Sequence, residues 1–149
     1  MGAHFLPDPD RGIVYWYFQG LITTEQSLAE QARAVSLGDF SDWRAELVYL
    51  EPETEFPMEL YHGFPAMRPL LREMIPRMPK ACAVVCTPLQ MTSMPGFWQT
   101  VMANAPDLHR TYEIFSDLPR AMEWLQVPLD AAVEALARLR IVALEGNRP

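Results

Sequence analysis

Glu59 and His62 stand three residues apart, a spacing that puts both side chains on one face of a helix. A glutamate and a histidine so placed can ligate a metal in a four-helix di-iron site, but that chemistry takes a second such pair and further glutamates. The sequence holds no second copy, so the pair reads as solvated or capping. His4 and His109 fall in predicted strands without a local partner. Ser27, Ser36, Ser41, Ser93 and Ser116 have no histidine at a meaningful local spacing, although a triad can be assembled from distant parts of a chain. No G-x-S-x-G, P-loop or G-x-G-x-x-G pattern occurs. Cys82 and Cys86 share one face of a predicted strand, roughly 13 Å apart at ~3.3 Å per residue. That separation exceeds what a disulfide spans, and both read as small buried apolar residues. The expectation is a protein that is not an enzyme and uses no metal or cofactor.

Methionine is the other residue type in an informative pattern. Met58, Met67, Met74, Met78, Met91, Met94 and Met102 cluster in mid-chain with Phe56, Phe64, Phe97 and Trp98. Thioether side chains adapt their shape, so such a set either fills a core or lines an apolar groove. The predicted loop Leu89–Gly96 follows a parallel strand, where α/β sheets bind ligands. Met91, Met94, Phe97, Trp98 and Met102 are therefore the candidate residues for a small apolar ligand. Phe97 and Met102 are expected inside, with Trp98 at the cleft rim.

The elements that position these residues follow from patterning. The chain has 149 residues, half of them hydrophobic, and a formal net charge of −7. That length suits one domain with a real core. The negative balance disfavours nucleic acid and anionic membranes as partners. No apolar run approaches the ~20 residues that span a bilayer, and no secretory signal pattern opens the chain, so a cytoplasmic protein is expected.

His4–Leu6 and Ile13–Phe18 predict a hairpin around the turn-rich Pro7–Gly12. Thr23 with Gln26 predicts a capping box, opening a helix with Leu28, Ala32 and Val35 inward and Gly38 at its end. Ala45–Leu50 is the next strand, ended by the acidic loop Glu51–Glu55. A helix is expected over Ala66–Ile75, with an earlier turn at Met58–His62. Ala81–Thr87 is apolar enough for a central parallel strand. Gly96–Asn104 predicts a short helix and His109–Phe115 the last strand. Asp117 then caps a helix with Pro119 in its first turn and a stripe of Leu118, Ala121, Met122 and Leu125. Pro128 breaks the chain. A final helix, Leu129–Leu144, carries Leu129, Ala132, Val133, Leu136 and Leu139 or Arg140 along one stripe.

Asp8-Pro-Asp-Arg-Gly-Ile-Val-Tyr15, then Gly20-Leu-Ile-Thr-Thr-Glu25, and finally Tyr112-Glu-Ile-Phe-Ser-Asp-Leu-Pro-Arg-Ala-Met-Glu-Trp-Leu125, resemble the ends of STAS-like proteins of the SpoIIAA-like group, small bacterial α/β domains. The resemblance covers about residues 4 to 126. It implies a mixed, mostly parallel sheet with an N-terminal β-hairpin, helices mainly on one face, and an extra C-terminal helix. Residues 1–127 would form the domain, and 128–149 the added helix and tail. Anti-sigma-factor antagonists of this class carry a phosphorylatable serine in a loop that matches Leu50–Phe56. Here that loop has only Thr54, between Glu53 and Glu55, which would repel a phosphate. The related domains also often place an arginine near residues 97–104, and Pro95–Met102 has none. The implied function is a regulatory or interaction domain without the serine phosphoswitch.

The strand Ile13–Phe18 is apolar on both faces. If helices cover one face, Ile13, Tyr15 and Tyr17 on the other need cover, either from the C-terminal helix or from a second subunit. The resembled domain ends near Leu125 without that helix. The expectation is therefore a homodimer, with Tyr15, Tyr17, Leu129, Val133 and Leu136 as its interface.

Overall fold

The computed structural model describes residues 2–56, 72–93 and 110–146. Its frame is a five-stranded sheet in chain order, comprising β1 (Ala3–Asp8), β2 (Ile13–Phe18), β3 (Ala45–Leu50), β4 (Ala81–Val85) and β5 (Thr111–Phe115). β1 pairs antiparallel with β2, and the remaining neighbours pair parallel. The protein is thus a mixed α/β fold with a mostly parallel sheet. β1 is longer than expected. Pro7 belongs to it, at an edge where a missing N–H costs no ladder bond.

Helix α1 (Thr24–Leu37) opens on the expected capping box, with Thr23 Oγ1 accepting from Gln26 N–H and Gln26 Oε1 from Thr23 N–H. It ends at Gly38, whose φ of 139° suits glycine alone. Its inward face is rotated from the expected one. Ser27, Glu30, Gln31 and Ala34 are buried, while Leu28 and Val35 are half-buried and Ala32 is exposed. The cause is the sheet edge. Glu30 Oε1 accepts the Phe5 N–H at 2.7 Å, and Arg33 donates to the Phe5 carbonyl, so two helix side chains occupy ladder positions that a further strand would use.

Residues 72–74 are helical and run into a 3₁₀ turn at Ile75–Arg77. Helix α2 (Pro88–Ser93) occupies part of what the sequence predicted as a loop. Helix α3 (Leu118–Leu125) has Asp117 as N-cap, accepting from Arg120 N–H, and buries Ala121, Met122 and Leu125 as expected. Helix α4 (Leu129–Gly146) follows directly. The helices expected at Met58–His62 and Gly96–Asn104 lie outside the described residues, as does most of that at Ala66–Ile75.

Both faces of the sheet are covered. On one, Phe5, Val14 and Trp16 pack with Ala34 of α1, Phe40, Met74 and Met78. On the other, Ile13, Tyr15, Tyr17, Leu47, Ala83 and Val85 pack with α3 and with Ala131, Ala132, Ala135, Leu136, Leu139 and Ala143 of α4. The expectation of helices mainly on one face is corrected accordingly. Right-handed crossovers between sequentially ordered parallel strands send connecting segments to one side. The two helices after the last strand are free of that rule, and they close the other side.

The expected dimer interface is corrected with it. Tyr15, Tyr17 and Leu136 are fully buried against one another's elements within a single chain. They cannot meet a second subunit. Leu129 and Val133, placed with them by the sequence, turn outward on α4. Helix α4 shares one core with the sheet, so the division expected at residue 127 cuts through packed side chains.

Candidate interaction surface

Three segments leave the carboxyl ends of the parallel strands and are tied together there. After β2, Gly20 takes a left-handed φ of 67° and turns the chain outward. After β3, the loop Glu51–Glu55 runs beside it. Glu55 N–H donates to the Gly20 carbonyl and Ile22 N–H to the Glu55 carbonyl, both at 2.9 Å, forming a short parallel bridge between Leu21 and Glu55. Thr54 is buried, and its hydroxyl donates to the Phe18 carbonyl at 2.9 Å.

After β4, Thr87 and Gln90 form a second capping box. Thr87 N–H donates to Gln90 Oε1 at 2.8 Å, and Gln90 N–H to Thr87 Oγ1 at 3.1 Å. The Gln90 amide then donates from Nε2 to the carbonyls of Glu51 at 2.8 Å and Pro52 at 3.2 Å. One buried side chain thus pins α2 to the neighbouring loop. The Thr-x-x-Gln spacing is the one that opens α1, so the sequence does carry a signal for α2 where a loop is expected. Its proline after the cap suits the first helical turn.

This cross-linked rim exposes large apolar side chains. Leu21 is 59% accessible, Leu89 77% and Met91 44%. Glu53 and Glu55 are exposed beside them. Of the expected apolar-ligand residues, Met91 stands on this rim, while Met94, Phe97, Trp98 and Met102 lie outside the described residues.

Glu51 anchors the rim from beneath. Its Oε1 lies 2.9 Å from Tyr17 Oη and accepts from Arg140 Nε of α4 at 2.6 Å. Tyr49 stacks on Tyr17 with the rings 7° from parallel, and the Arg140 guanidinium sits 5.7 Å over the Tyr49 ring. Burial, then the hydrogen bond to Glu51, pushes the Tyr17 phenol above its ordinary value, so it remains a neutral donor. Tyr17, Glu51 and Arg140 are thus engaged in tying strand, loop and helix together.

A second polar cluster lies near the opposite end of the strands. Glu46 and Arg110 form a buried ion pair. Trp16 Nε1 donates to the other Glu46 oxygen at 3.0 Å; Arg110 donates from Nη1 to Tyr112 Oη at 2.7 Å and from Nε to the Pro79 carbonyl at 3.1 Å. Burial works against the Arg110 charge, but Glu46 more than offsets it, and the guanidinium stays charged. Cys82 beside this cluster is buried, and that burial raises its thiol well above the usual range, as burial also raises Cys86. Protonated thiols are poor nucleophiles. The cluster is saturated and sits away from the end where parallel sheets take ligands, so its role is structural. Sequence reading missed it. The available signal was Glu46 itself, an acid on the face of β3 that also carries Val48 and Leu50.

Among the remaining candidates, Glu59, His62 and His109 lie outside the described residues. His4 is buried with its ring 6.4 Å from that of Tyr17. Among the described residues, no group of three or more His, Cys, Asp or Glu side chains is arranged to hold a metal ion, and no helix is long and apolar enough to cross a membrane. A cleft of about 250 Å³ between the hairpin turn and α4 is bridged by its own ion pairs, Arg11 with Asp8 at 3.2 Å and with Glu134 at 3.9 Å. Comparison with known proteins finds no matching family model, no matching curated protein and no matching solved structure.

Proposed function

We propose that the chain is a non-enzymatic, STAS-like interaction domain that docks a protein partner on the rim at the carboxyl ends of its parallel strands. The observation that carries this reading is the exposure of Leu21, Leu89 and Met91 on segments locked by Gln90 and the Leu21–Glu55 bridge. Exposed apolar anchors on a rigid support lose little entropy on binding. Glu53 and Glu55 at the same rim, on a chain of net charge −7, favour a partner that is apolar at the centre of its contact and basic around it.

The STAS-like part of the reading is supported by the hairpin-first, mostly parallel sheet that the resemblance implies. A mechanism without a phosphoswitch is supported by Thr54, the only hydroxyl in the loop, which is buried and donates to the Phe18 carbonyl. A phosphate there would need that hydrogen bond broken and the loop opened between two glutamates. The non-enzymatic part is supported by the engagement of Tyr17, Glu51, Glu46 and Arg110 in packing and backbone support.

Affinity capture with the immobilised full chain tests the proposal. Wild type and the Glu123→Ala control, altered at an exposed position of α3, should retain the same protein, and Leu89→Asp should lose it. Identical retention by all three would overturn the docking site. A small apolar molecule, seen by native mass spectrometry and lost with Leu89→Asp, would move the site to the alternative ligand-binding reading.

A further inference from the structure

The inward face of α4 is committed to the sheet, and its outward face carries an apolar ridge among exposed charges. Leu129, Val133, Ala137, Ile141 and Leu144 follow one another at steps of four, four, four and three, and all are exposed. At 1.5 Å per residue this ridge is roughly 22 Å long. Four-residue ridges of this kind interlock with a like ridge on another helix. The smallest side chain, Ala137, stands at the middle of the ridge, where two crossing helices approach most closely.

The charges beside the ridge choose the orientation. Glu134 is exposed on one flank, with Arg11 3.9 Å away, and Arg138 follows one turn later on the same flank. In a parallel two-fold pair this flank of one copy lies on the opposite side of the contact from the same flank of the other, so Glu134 and Arg138 would find no partner in each other. Two antiparallel copies related by a dyad at Ala137 bring Val133 of one to Ile141 of the other. They also bring Glu134 within a turn of Arg138 on the second copy, twice over. The ridge is thus complementary to itself in one orientation, as a two-fold contact requires.

We infer that the outer face of α4 pairs with the same face of a second copy of this chain, antiparallel, with the dyad at Ala137. This surface is separate from the rim bearing Leu89, and the inference stands without that docking site. A single helix pair is small for an interface, which places the association in the weak, transient class.

Cross-linking at the dyad tests the inference. Cys82 and Cys86 are buried, so an added surface cysteine is the accessible thiol among the described residues. Under mild oxidation of the full chain, Ala137→Cys should give a covalent dimer, because the dyad sets residue 137 against itself. Val142→Cys, exposed off the ridge, should not. Adding Glu134→Arg to Ala137→Cys should suppress the dimer, and adding Arg138→Glu as well should restore it. Equal cross-linking at 137 and 142, or none at 137, would overturn the pairing. A dimer at 137 indifferent to the charge changes would overturn the antiparallel register.

Discussion

If α4 is seated on the sheet, two residues three apart on it should respond in opposite ways to truncation. Leu136 is 1% accessible and Val133 is 53% accessible. Leu136 packs in a cluster with Tyr15 and Tyr17, whose large rings cannot easily collapse into the space a lost isobutyl group leaves. Leu-to-Ala changes in cores cost about 2–5 kcal/mol, rising with the cavity that persists, so Leu136→Ala should cost about 3–4 kcal/mol. Val133→Ala, at the surface, should stay within about 0.5 kcal/mol. Urea unfolding followed by tryptophan fluorescence reads both. With a slope of about 1–3 kcal/mol/M, the Leu136→Ala midpoint should fall by about 1–4 M at unchanged slope. Equal midpoints for the two variants, or an unshifted Leu136→Ala, would show that α4 is not part of this core. The same reasoning predicts that a chain ending after Val127 loses cooperative unfolding, since Ile13, Tyr15 and Tyr17 would face water.

Two further outcomes follow from the buried polar groups. Arg110→Met should destabilise by about 3–5 kcal/mol, because it strands Glu46 in the core, and Glu46→Met added to it should recover part of that loss; a double variant no better than the single one would mean the two groups are not coupled. Tyr15 has its phenol pushed up to about 12 by burial, and burial also raises Tyr17 and Tyr112 from the ordinary 10.0. A group whose folded value is raised contributes fully below pH 10 and loses that contribution as pH climbs toward the folded value. Stability should therefore be flat to about pH 10 and fall between there and about pH 12, with tyrosinate absorbance appearing together with unfolding. Normal titration of Tyr15, Tyr17 and Tyr112 in a folded chain would contradict this account of them.

The parts of the fold that were legible are those specified locally. Ala45–Leu50 has the bounds expected of it because a largely apolar run meets the acidic, proline-bearing loop Glu51–Glu55. Thr23 and Asp117 announced their helices because a cap needs only the next three residues. What was misread depends on distant contacts. Leu28, Ala32 and Val35 made a reasonable inward stripe for α1, but Phe5, on another strand, draws Glu30 and Arg33 to that side. The pair Glu46–Arg110 joins residues 64 positions apart, and no local spacing announces it. Tyr15 and Tyr17 correctly signalled a face in need of cover. Whether the cover came from α4 or a second subunit was undetermined, since either would bury the same side chains. The candidate rim was half legible: the acidic loop stood out, and the capping box that places Leu89 and Met91 was overlooked.

The docking of a protein proposed for the Leu89 rim is open to a direct test. A photo-crosslinking amino acid placed at Leu89 in the full chain, with one at Glu123 as control, tests it in the living cell. The account predicts a discrete covalent adduct with one protein from position 89 and none of that adduct from position 123. No adduct at 89, or the same adducts from both positions, would contradict it.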